Sequence, residues 1–353
     1  VGIERSPLAM GIIGYITSIP VFCDSGYVIL TPLNKALSKR AEMPMATMAI
    51  ALSTGLYVTH TLVPPTPGPI AAAGNIGADL GLVILVALIV SIPAALVGLW
   101  WAYRVGKDIK STIDESGASY DELRKQFKQL PSAAKSFAPI VIPIILIALS
   151  SIAKFTEYSG SLSNLIIFLG TPVNALMIGV LLSFTLLPKF DEETLMNWIG
   201  DGLKDAAIIL LITGAGGSLG AVLSNTPIAD YIKTFADGGI FSGPIVLLLP
   251  FIISALLKTA QGSSTVALVT TSSLIAPLLP QMGLTSPMDL ALTVMAVGAG
   301  AMTVSHVNDS YFWVVTQFSG LEVTDAYKAQ TMATLLQGIV TIIFSIILFI
   351  IFH

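Results

Sequence analysis

The chain has 353 residues, of which 54% are apolar and only 11% are charged, with a formal net charge of −4. Soluble domains carry roughly 25% charged residues, so the composition excludes an ordinary soluble protein, and its high apolar content excludes an intrinsically disordered one. The small and dispersed charge argues against a nucleic-acid partner. The single cysteine, Cys23, excludes a disulfide framework and a cysteine-based metal site. These features predict an all-α polytopic membrane protein without a cofactor.

The chain opens with a predicted hairpin, followed by a broken span and an intact one. Residues 8–38 form two apolar arms, each too short to span a bilayer comfortably, around the polar tip Cys23-Asp24-Ser25-Gly26. Residues 43–78 form a span interrupted by the proline-rich run Val63–Pro69, because proline lacks an N–H donor and disrupts helices. Residues 80–103 are apolar throughout and reach the length of about 20 residues that a spanning helix needs.

Residues 104–135 form the one sizeable polar stretch of the sequence. Cytoplasmic loops are enriched in Lys and Arg, so the basic residues of this stretch place it on the cytoplasmic side. The topology traced from there puts 14 of the 17 basic residues on that side. The stretch is either a partner-binding surface or a solvated connector, and its mixed charge favours the connector.

Three more intact spans are predicted between the polar loop and the second half of the chain. They cover residues 136–153, 164–187 and 204–225, each close to the spanning length. We interpret residues 136–225 as connecting transmembrane helices.

The last part of the chain predicts the same order of elements as the first. Residues 240–280 form a second hairpin with the tip Lys258–Ser264. Residues 288–317 form a second broken span, interrupted at Ser305-His306-Val307-Asn308-Asp309, and residues 331–352 form a final intact span. The whole chain therefore predicts seven spans and two re-entrant hairpins.

Residues 1–103 and 226–353 are interpreted as two repeats. Val58-Thr59-His60 in the first resembles Val304-Ser305-His306 in the second, 246 residues later. Traced from the cytoplasmic loop, the two hairpins open to opposite sides, so the repeats are predicted to be inverted. Paired interrupted segments in corresponding positions are the best sequence indication of a secondary transporter's binding site.

Two hairpin tips and two breaks that meet at mid-membrane would form a cradle for an anion. Helix N-termini carry partial positive charge and unpaired N–H groups, and neutral polar side chains suit the hydroxyl groups of a substrate. The residues expected to contact the substrate are Asp24, Ser25, Gly26, His60, Pro65, Thr66, Gly68, Gln261, Gly262, Ser263, Ser264, Thr265, Ser305, His306 and Asn308.

Ionisable residues within membrane segments are functional candidates because burying their charge is costly. Asp24, His60, His306 and Asp309 are the candidates for ion coupling, since histidine titrates near neutral pH and a carboxylate can carry a proton. Structural alternatives remain for each. A histidine can hydrogen-bond across helices, and either aspartate can cap the helix that follows it. For Lys258 we expect snorkelling toward the outer interface rather than substrate contact.

Four runs of the sequence resemble the gluconate permease family: Ile19–Leu30, Thr59–Gly74, Gly262–Ala267 and Val304–Ser310. The match covers essentially the whole chain, and the proline-rich run is its most specific part. The resemblance implies proton-coupled uptake of gluconate-like sugar acids, with other small hydroxy acids or D-serine as substrates of some relatives. It also implies kinship with ion-coupled carboxylate transporters built from inverted repeats with paired hairpins.

The chain departs from the gluconate-type members in two respects. Those members are longer at the N-terminus, so we expect several helices upstream of Val1 to be missing here. They often have His where this chain has Thr66, and the lost cationic donor leaves a hydroxy acid other than gluconate as an alternative substrate.

The sequence is therefore interpreted as an inverted-repeat secondary transporter with two re-entrant hairpins and two broken transmembrane helices, placed in the bacterial inner membrane. It would import gluconate or a related small hydroxy monocarboxylate by proton symport. Sodium coupling is the first alternative, because unwound carbonyls and Asn308 would suit Na⁺ equally well. A membrane-embedded enzyme and a channel are the remaining alternatives. The partners expected are the carboxylate, the coupling ion and the lipid bilayer, and a homodimer is one assembly that this architecture allows.

Overall fold

The computed structural model describes residues 5–112, 132–155, 160–187, 190–200, 202–204, 207, 211 and 243–352. All regular elements within these ranges are helices. The predicted span 204–225 lies almost entirely outside the described residues. Most of the predicted loop 104–135 and residues 226–242 of the predicted second repeat also lie outside them.

The first part of the chain forms a hairpin, a broken helix and a long helix. These are α1 (Ser6–Thr17), α2 (Cys23–Ala41), α3 (Met45–Leu62), α4 (Pro67–Ile76) and α5 (Leu80–Val105), followed by a short 3₁₀ turn, Gly106–Asp108. The break between α3 and α4 lies inside the predicted proline-rich run, and α5 coincides with the predicted span 80–103.

The tip of the first hairpin was predicted slightly too late in the chain. The turn occupies residues 18–22, and Cys23-Asp24-Ser25-Gly26 form the first turn of α2. Pro20 explains the difference, because it cannot donate the backbone hydrogen bond that would continue α1. The predicted tip residues therefore lie on a helix start.

The middle part corrects one predicted span. Here α6 (Ala133–Phe155) matches the predicted span 136–153, but the predicted span 164–187 is divided into α7 (Ser161–Leu169) and α8 (Pro172–Ser183), with a bend of 65° between them. Helical geometry is disfavoured for the residue before a proline, and Pro172 is the first residue of α8. The Gly170-Thr171-Pro172 sequence therefore ends α7.

The second half repeats the order of hairpin, broken helix and long helix. After a 3₁₀ turn at Gly243–Leu247 come α9 (Leu248–Gln261), α10 (Ser264–Ile275), α11 (Pro287–Met302), α12 (Ser310–Phe318), α13 (Val323–Ala326), a π-helix (Tyr327–Thr331) and α14 (Met332–Phe352). The hairpin turn falls at Gly262 and Ser263, within the predicted tip, and the break spans residues 303–309, which contain the predicted one. The final helix α14 matches the predicted span 331–352.

Within the described residues, four helices are long and apolar enough to cross a membrane, and the bent pair α7–α8 is a fifth candidate. The four are Met45–Ile76, Leu80–Asp108, Gly243–Gln261 and Val323–Phe352. One arm of the second hairpin thus has 19 residues and reaches spanning length, contrary to the expectation that both arms are too short.

The core consists of α3 and α11, the first segments of the two broken helices. Residues 46–62 of α3 are all buried, and α11 is buried from residue 291 to its end, as expected for helices that are apolar on every side. The hairpin α1–α2 packs on α3, and the hairpin α9–α10 packs on α11.

Each half has a glycine that allows the same kind of close contact between its hairpin and its broken helix. Gly55 of α3 lies against the carbonyl of Gly11 in α1, and Gly300 of α11 lies against the carbonyl of Phe251 in α9. An added Cβ at either glycine would collide with that carbonyl. Gly55 precedes the run Val58-Thr59-His60 by three residues and Gly300 precedes Val304-Ser305-His306 by four, so the similar runs follow similar packing contacts.

Candidate functional site

The tip of the second hairpin lies directly against the second break. Gly262 has φ +88°, a conformation that glycine adopts without cost, and an added Cβ there would collide with the carbonyl of Asn308. The carbonyl of Thr259 accepts a hydrogen bond from Asn308 Nδ2 at 2.8 Å and lies 3.0 Å from His306 Nε2. The structure therefore brings this tip and this break together, and His306 hydrogen-bonds across to the hairpin.

Lys258 forms an internal ion pair with Asp309. Its Nζ lies 2.6 Å from Asp309 Oδ2 and also donates to the carbonyl of Gly262. Lys258 is 1% exposed, so the expected snorkelling toward an interface is wrong. The partner carboxylate, 51 residues later, explains the burial, because a charge far from water requires a partner of opposite sign.

Asp309 also caps the start of α12. Its Oδ1 accepts from the backbone N–H of Tyr311 at 3.0 Å, and its Oδ2 accepts from Ser305 Oγ at 2.5 Å. The capping alternative considered for this residue is thus correct, and the same carboxylate binds Lys258. The cap and the ion pair hold the end of the break at one point.

The backbone of the second break is held by threonines from the π-helix and α14. Thr334 Oγ1 accepts from the N–H of Ser305 at 3.0 Å, and Thr331 Oγ1 donates to the carbonyl of Ser305 at 2.5 Å. Buried backbone groups outside regular structure need such partners. Val304 has φ +54°, which is rare for a β-branched residue and costs conformational energy.

Asp24 joins the first hairpin to the second break. Ser310 Oγ donates to Asp24 Oδ1 at 3.2 Å, and Asp24 lies within electrostatic range of Asp309. Among the described residues no side-chain hydrogen bond caps the start of α2, where Phe22 occupies the N-cap position, so the alternative that Asp24 caps its helix is not supported. The side chain instead points to the neighbourhood of the ion pair.

His60 lies near the same pair from the side of α3. It is 4% exposed, and its Nδ1 has no hydrogen-bond partner among the described residues. Its ring lies 5.5 Å from that of Phe22, and both Lys258 and Asp309 are within electrostatic range. An unpaired buried nitrogen is costly and marks His60 as a candidate for a ligand or proton.

The first break leads into α4, which packs mainly on α10 of the second hairpin. Thr66 is buried, and its hydroxyl donates to the carbonyl of Val63 at 2.8 Å. Gly68 allows α4 to approach α10, because an added Cβ would lie 2.9 Å from Leu268 Cδ1. The hydroxyl of Thr66 is therefore used within the break, whereas Gly68 provides close packing.

Two tyrosines that the sequence analysis did not select lie beside the ion pair. Tyr57 stacks on Tyr311 with ring centroids 5.1 Å apart, and Lys258 Nζ lies 5.9 Å from the Tyr57 centroid. The Tyr311 hydroxyl donates to the carbonyl of Ser53 at 2.9 Å. Tyr57 precedes His60 by three residues and Tyr311 follows Asp309 by two. Their closeness in sequence to these two candidates is the feature that could have identified them.

The predicted site residues divide into an accessible set, called the rim below, and a buried set. Ser25, Gln261 and Asn308 are exposed, and Asp24, Pro65, Ser263, Thr265 and His306 are partly exposed. The buried members are Gly26, His60, Thr66, Gly68, Gly262, Ser264, Ser305 and Asp309. At the tip, the side-chain amide of Gln261 donates to the carbonyl of Ser263 and accepts from its backbone N–H. Gly262 links the two sets, because its carbonyl accepts from Lys258 and its backbone packs on the exposed Asn308.

Known proteins show a clear relationship to this chain. It is 37% identical over 336 residues to an uncharacterised permease of Haemophilus influenzae, covering 91% of this chain and 67% of the relative. It is 30% identical to a gluconate permease of Pseudomonas aeruginosa, covering 98% and 77% of the two chains, and 31% identical to the D-serine transporter DsdX of Escherichia coli, covering 94% and 74%.

A solved structure shares the fold. That of Neisseria gonorrhoeae MtrF, described among a class of antimetabolite efflux pumps, matches with a TM-score of 0.65 over 97% of this chain and 74% of its own, at 16% identity. The family described as GntP family permease matches residues 1–351. Its members are permeases rather than enzymes, so the alternative of a membrane-embedded enzyme is set aside. The chain belongs to the GntP permease family.

Proposed function

We propose that this permease is a secondary active transporter that imports a small hydroxy monocarboxylate, gluconate or a related sugar acid, together with protons across the bacterial inner membrane. The observation that carries the proposal is the buried Lys258–Asp309 pair beneath the polar rim where the second tip meets the second break. The relatives named for gluconate and for D-serine transport solutes that share a carboxylate. A site with one internal cation suits that shared group.

The two halves are proposed to be inverted repeats with re-entrant hairpins. The equal order of elements and the matched contacts of Gly55 and Gly300 support the repeat. In transporters of this kind, alternating access moves one bundle against another around a site near the bilayer midplane. We propose that the hairpins and breaks form that site.

The rim residues are proposed to bind the hydroxyl groups of the substrate. Ser25, Asn308 and the tip residues around Ser263 present neutral donors and acceptors on the accessible side. Main-chain N–H groups and His60 or His306 are proposed to hold the carboxylate beside the internal cation. Asp24, partly exposed and close to Asp309, is the first candidate for the coupling proton.

Transport in proteoliposomes tests the proposal. Gluconate, glycerate and D-serine are first screened for thermal stabilisation, because a bound ligand raises stability by mass action. Uptake of the best binder is then measured with a pH gradient alone and with a sodium gradient alone. Accumulation with the pH gradient is expected. Accumulation with sodium alone would establish the sodium-coupled alternative, and flux without accumulation would indicate a channel.

Replacing Asp24 with Asn tests the coupling role. We expect Asp24→Asn to abolish uptake driven by a pH gradient while exchange of labelled for unlabelled substrate continues, because the side chain keeps its shape but cannot take up a proton. Asp325→Asn is the control, since Asp325 pairs with the largely exposed Lys328. If the Asp24 variant still concentrates substrate, another group carries the proton.

A further inference from the structure

Lys258 is the only lysine or arginine that is buried among the described residues. It lies in the last turn of α9, where a cation is favoured by the partial negative charge of the helix end. The residue directly after the helix is Gly262, whose backbone packs on Asn308. The buried ammonium is therefore one layer below the exposed rim.

Lys258 depends on the ion pair more than Asp309 does. An ammonium has three N–H donors, and Lys258 directs two of them to Asp309 and the Gly262 carbonyl. Asp309 has two further donors, the hydroxyl of Ser305 and the N–H of Tyr311. If Lys258 turned to another carboxylate, Asp309 would keep two hydrogen bonds, whereas Lys258 without a carboxylate would keep only the Gly262 carbonyl.

We propose that Lys258 binds the carboxylate of the substrate and that Asp309 is the resting counter-ion which the substrate displaces. The proposal rests on the proposed function and adds that Lys258 is the cation that binds the carboxylate. The ring of Tyr57 beside Nζ holds the ammonium while it changes partners, because an aromatic face attracts a cation without competing as a carboxylate.

The charges of Lys258, Asp309 and Asp24 give a physical reason for the proposed proton symport. With an ammonium at Lys258 and carboxylates at Asp309 and Asp24, the three groups would sum to one net negative charge when the site is empty. A bound carboxylate adds a second, which is costly in a membrane interior. One proton taken from the outer solution onto the Asp24–Asp309 pair restores the original charge, and it leaves with the substrate on the other side. The other titratable side chains around these groups are Cys23, Tyr57, His60 and Tyr311.

The test compares each acid with its uncharged amide. D-gluconate and D-gluconamide, and the corresponding pairs for glycerate and D-serine, are titrated into the purified protein in detergent. Wild type is expected to prefer the acid by about 10- to 100-fold, the range of a hydrogen bond to a charged group. Lys258→Gln is expected to bind acid and amide about equally. Lys328→Gln, a change at an exposed ion pair, is the matched control and should keep the preference.

Two further variants keep the test decisive. Lys258→Gln/Asp309→Asn removes both charges at once, so it provides the same comparison if the single lysine variant does not fold. Asp309→Asn is expected to bind the acid at least as tightly as wild type but without proton uptake, measured with an indicator in weak buffer, whereas wild type takes up one proton per acid bound.

The outcomes separate the two proposals. If wild type binds one of the acids and a folded Lys258 variant keeps the acid preference, or if Asp309→Asn still takes up one proton per acid, the role of Lys258 and Asp309 is refuted while the transport function stands. If wild type prefers none of the three acids over its amide, the proposed monocarboxylate substrate is refuted as well.

Discussion

Replacing Gly262 with Ala tests the contact on which the site depends. The residue has φ +88°, and an added Cβ would collide with the carbonyl of Asn308. The left-handed conformation costs a residue with a Cβ about 1–2 kcal/mol, and forcing a methyl group into a packed position costs roughly 1–3 kcal/mol more. Because the collision is with backbone, only separation of the tip from the break can relieve it. We therefore expect lower stability and impaired uptake together.

Gly283 provides the matched control. It has φ +74°, and an added Cβ would meet no described atom within 4 Å, so Gly283→Ala carries the conformational cost without the collision. In thermal unfolding of the purified protein, Gly262→Ala should melt about 2–6 °C below Gly283→Ala, which corresponds to the extra collision term. Equal melting temperatures and normal uptake for both variants would refute the tight contact between tip and break.

Two further predictions concern the ion pair and the strained backbone. Lys258→Met should destabilise the protein by about 3–5 kcal/mol, since it leaves Asp309 buried without its cation, whereas Lys328→Met, at a lysine 69% exposed, should cost no more than about 1 kcal/mol; equal effects in denaturant titrations would contradict the burial of the pair. Val304→Gly should be more stable than Val304→Ala by up to about 1 kcal/mol, because φ is +54° at this position; a residue with a Cβ loses about 1–2 kcal/mol there, more than the flexibility cost of glycine of roughly 0.5–1 kcal/mol. An alanine variant at least as stable as the glycine variant would contradict that strain.

Most helices were predictable from the sequence because apolar run length is a direct physical requirement. The spans 80–103 and 331–352 match α5 and α14 closely, since about 20 apolar residues are needed to cross a bilayer. The predicted span 164–187 is bent by 65° rather than straight, and the reason is local. Its Gly170-Thr171-Pro172 sequence is a known turn signal, but hydropathy averaged over the run conceals it.

The candidate site was predictable in its parts but not in its pairings. The hairpin tip around Gly262 and the break around His306 were both expected, and the structure places them in contact. The internal ion pair of Lys258 was not expected, because a lysine near the end of an apolar helix has the same local sequence whether it snorkels or pairs internally. Only the three-dimensional position of Asp309, 51 residues away, separates the two outcomes.

The second break is bonded on two sides, and the two sides differ in kind. Toward the π-helix and α14 the bonds are neutral, from Thr331 and Thr334 to the peptide groups of Ser305. Toward α9 they include the ion pair of Lys258 and Asp309. A carboxylate that binds Lys258 competes only with the second set and leaves the threonine bonds unchanged. In the proposed cycle the tip should therefore separate from the break, while the break stays attached to α14. A π-helix inserts an extra residue into a turn and is frequent at functional sites, and here it directs Thr331 to the backbone that has to stay in place.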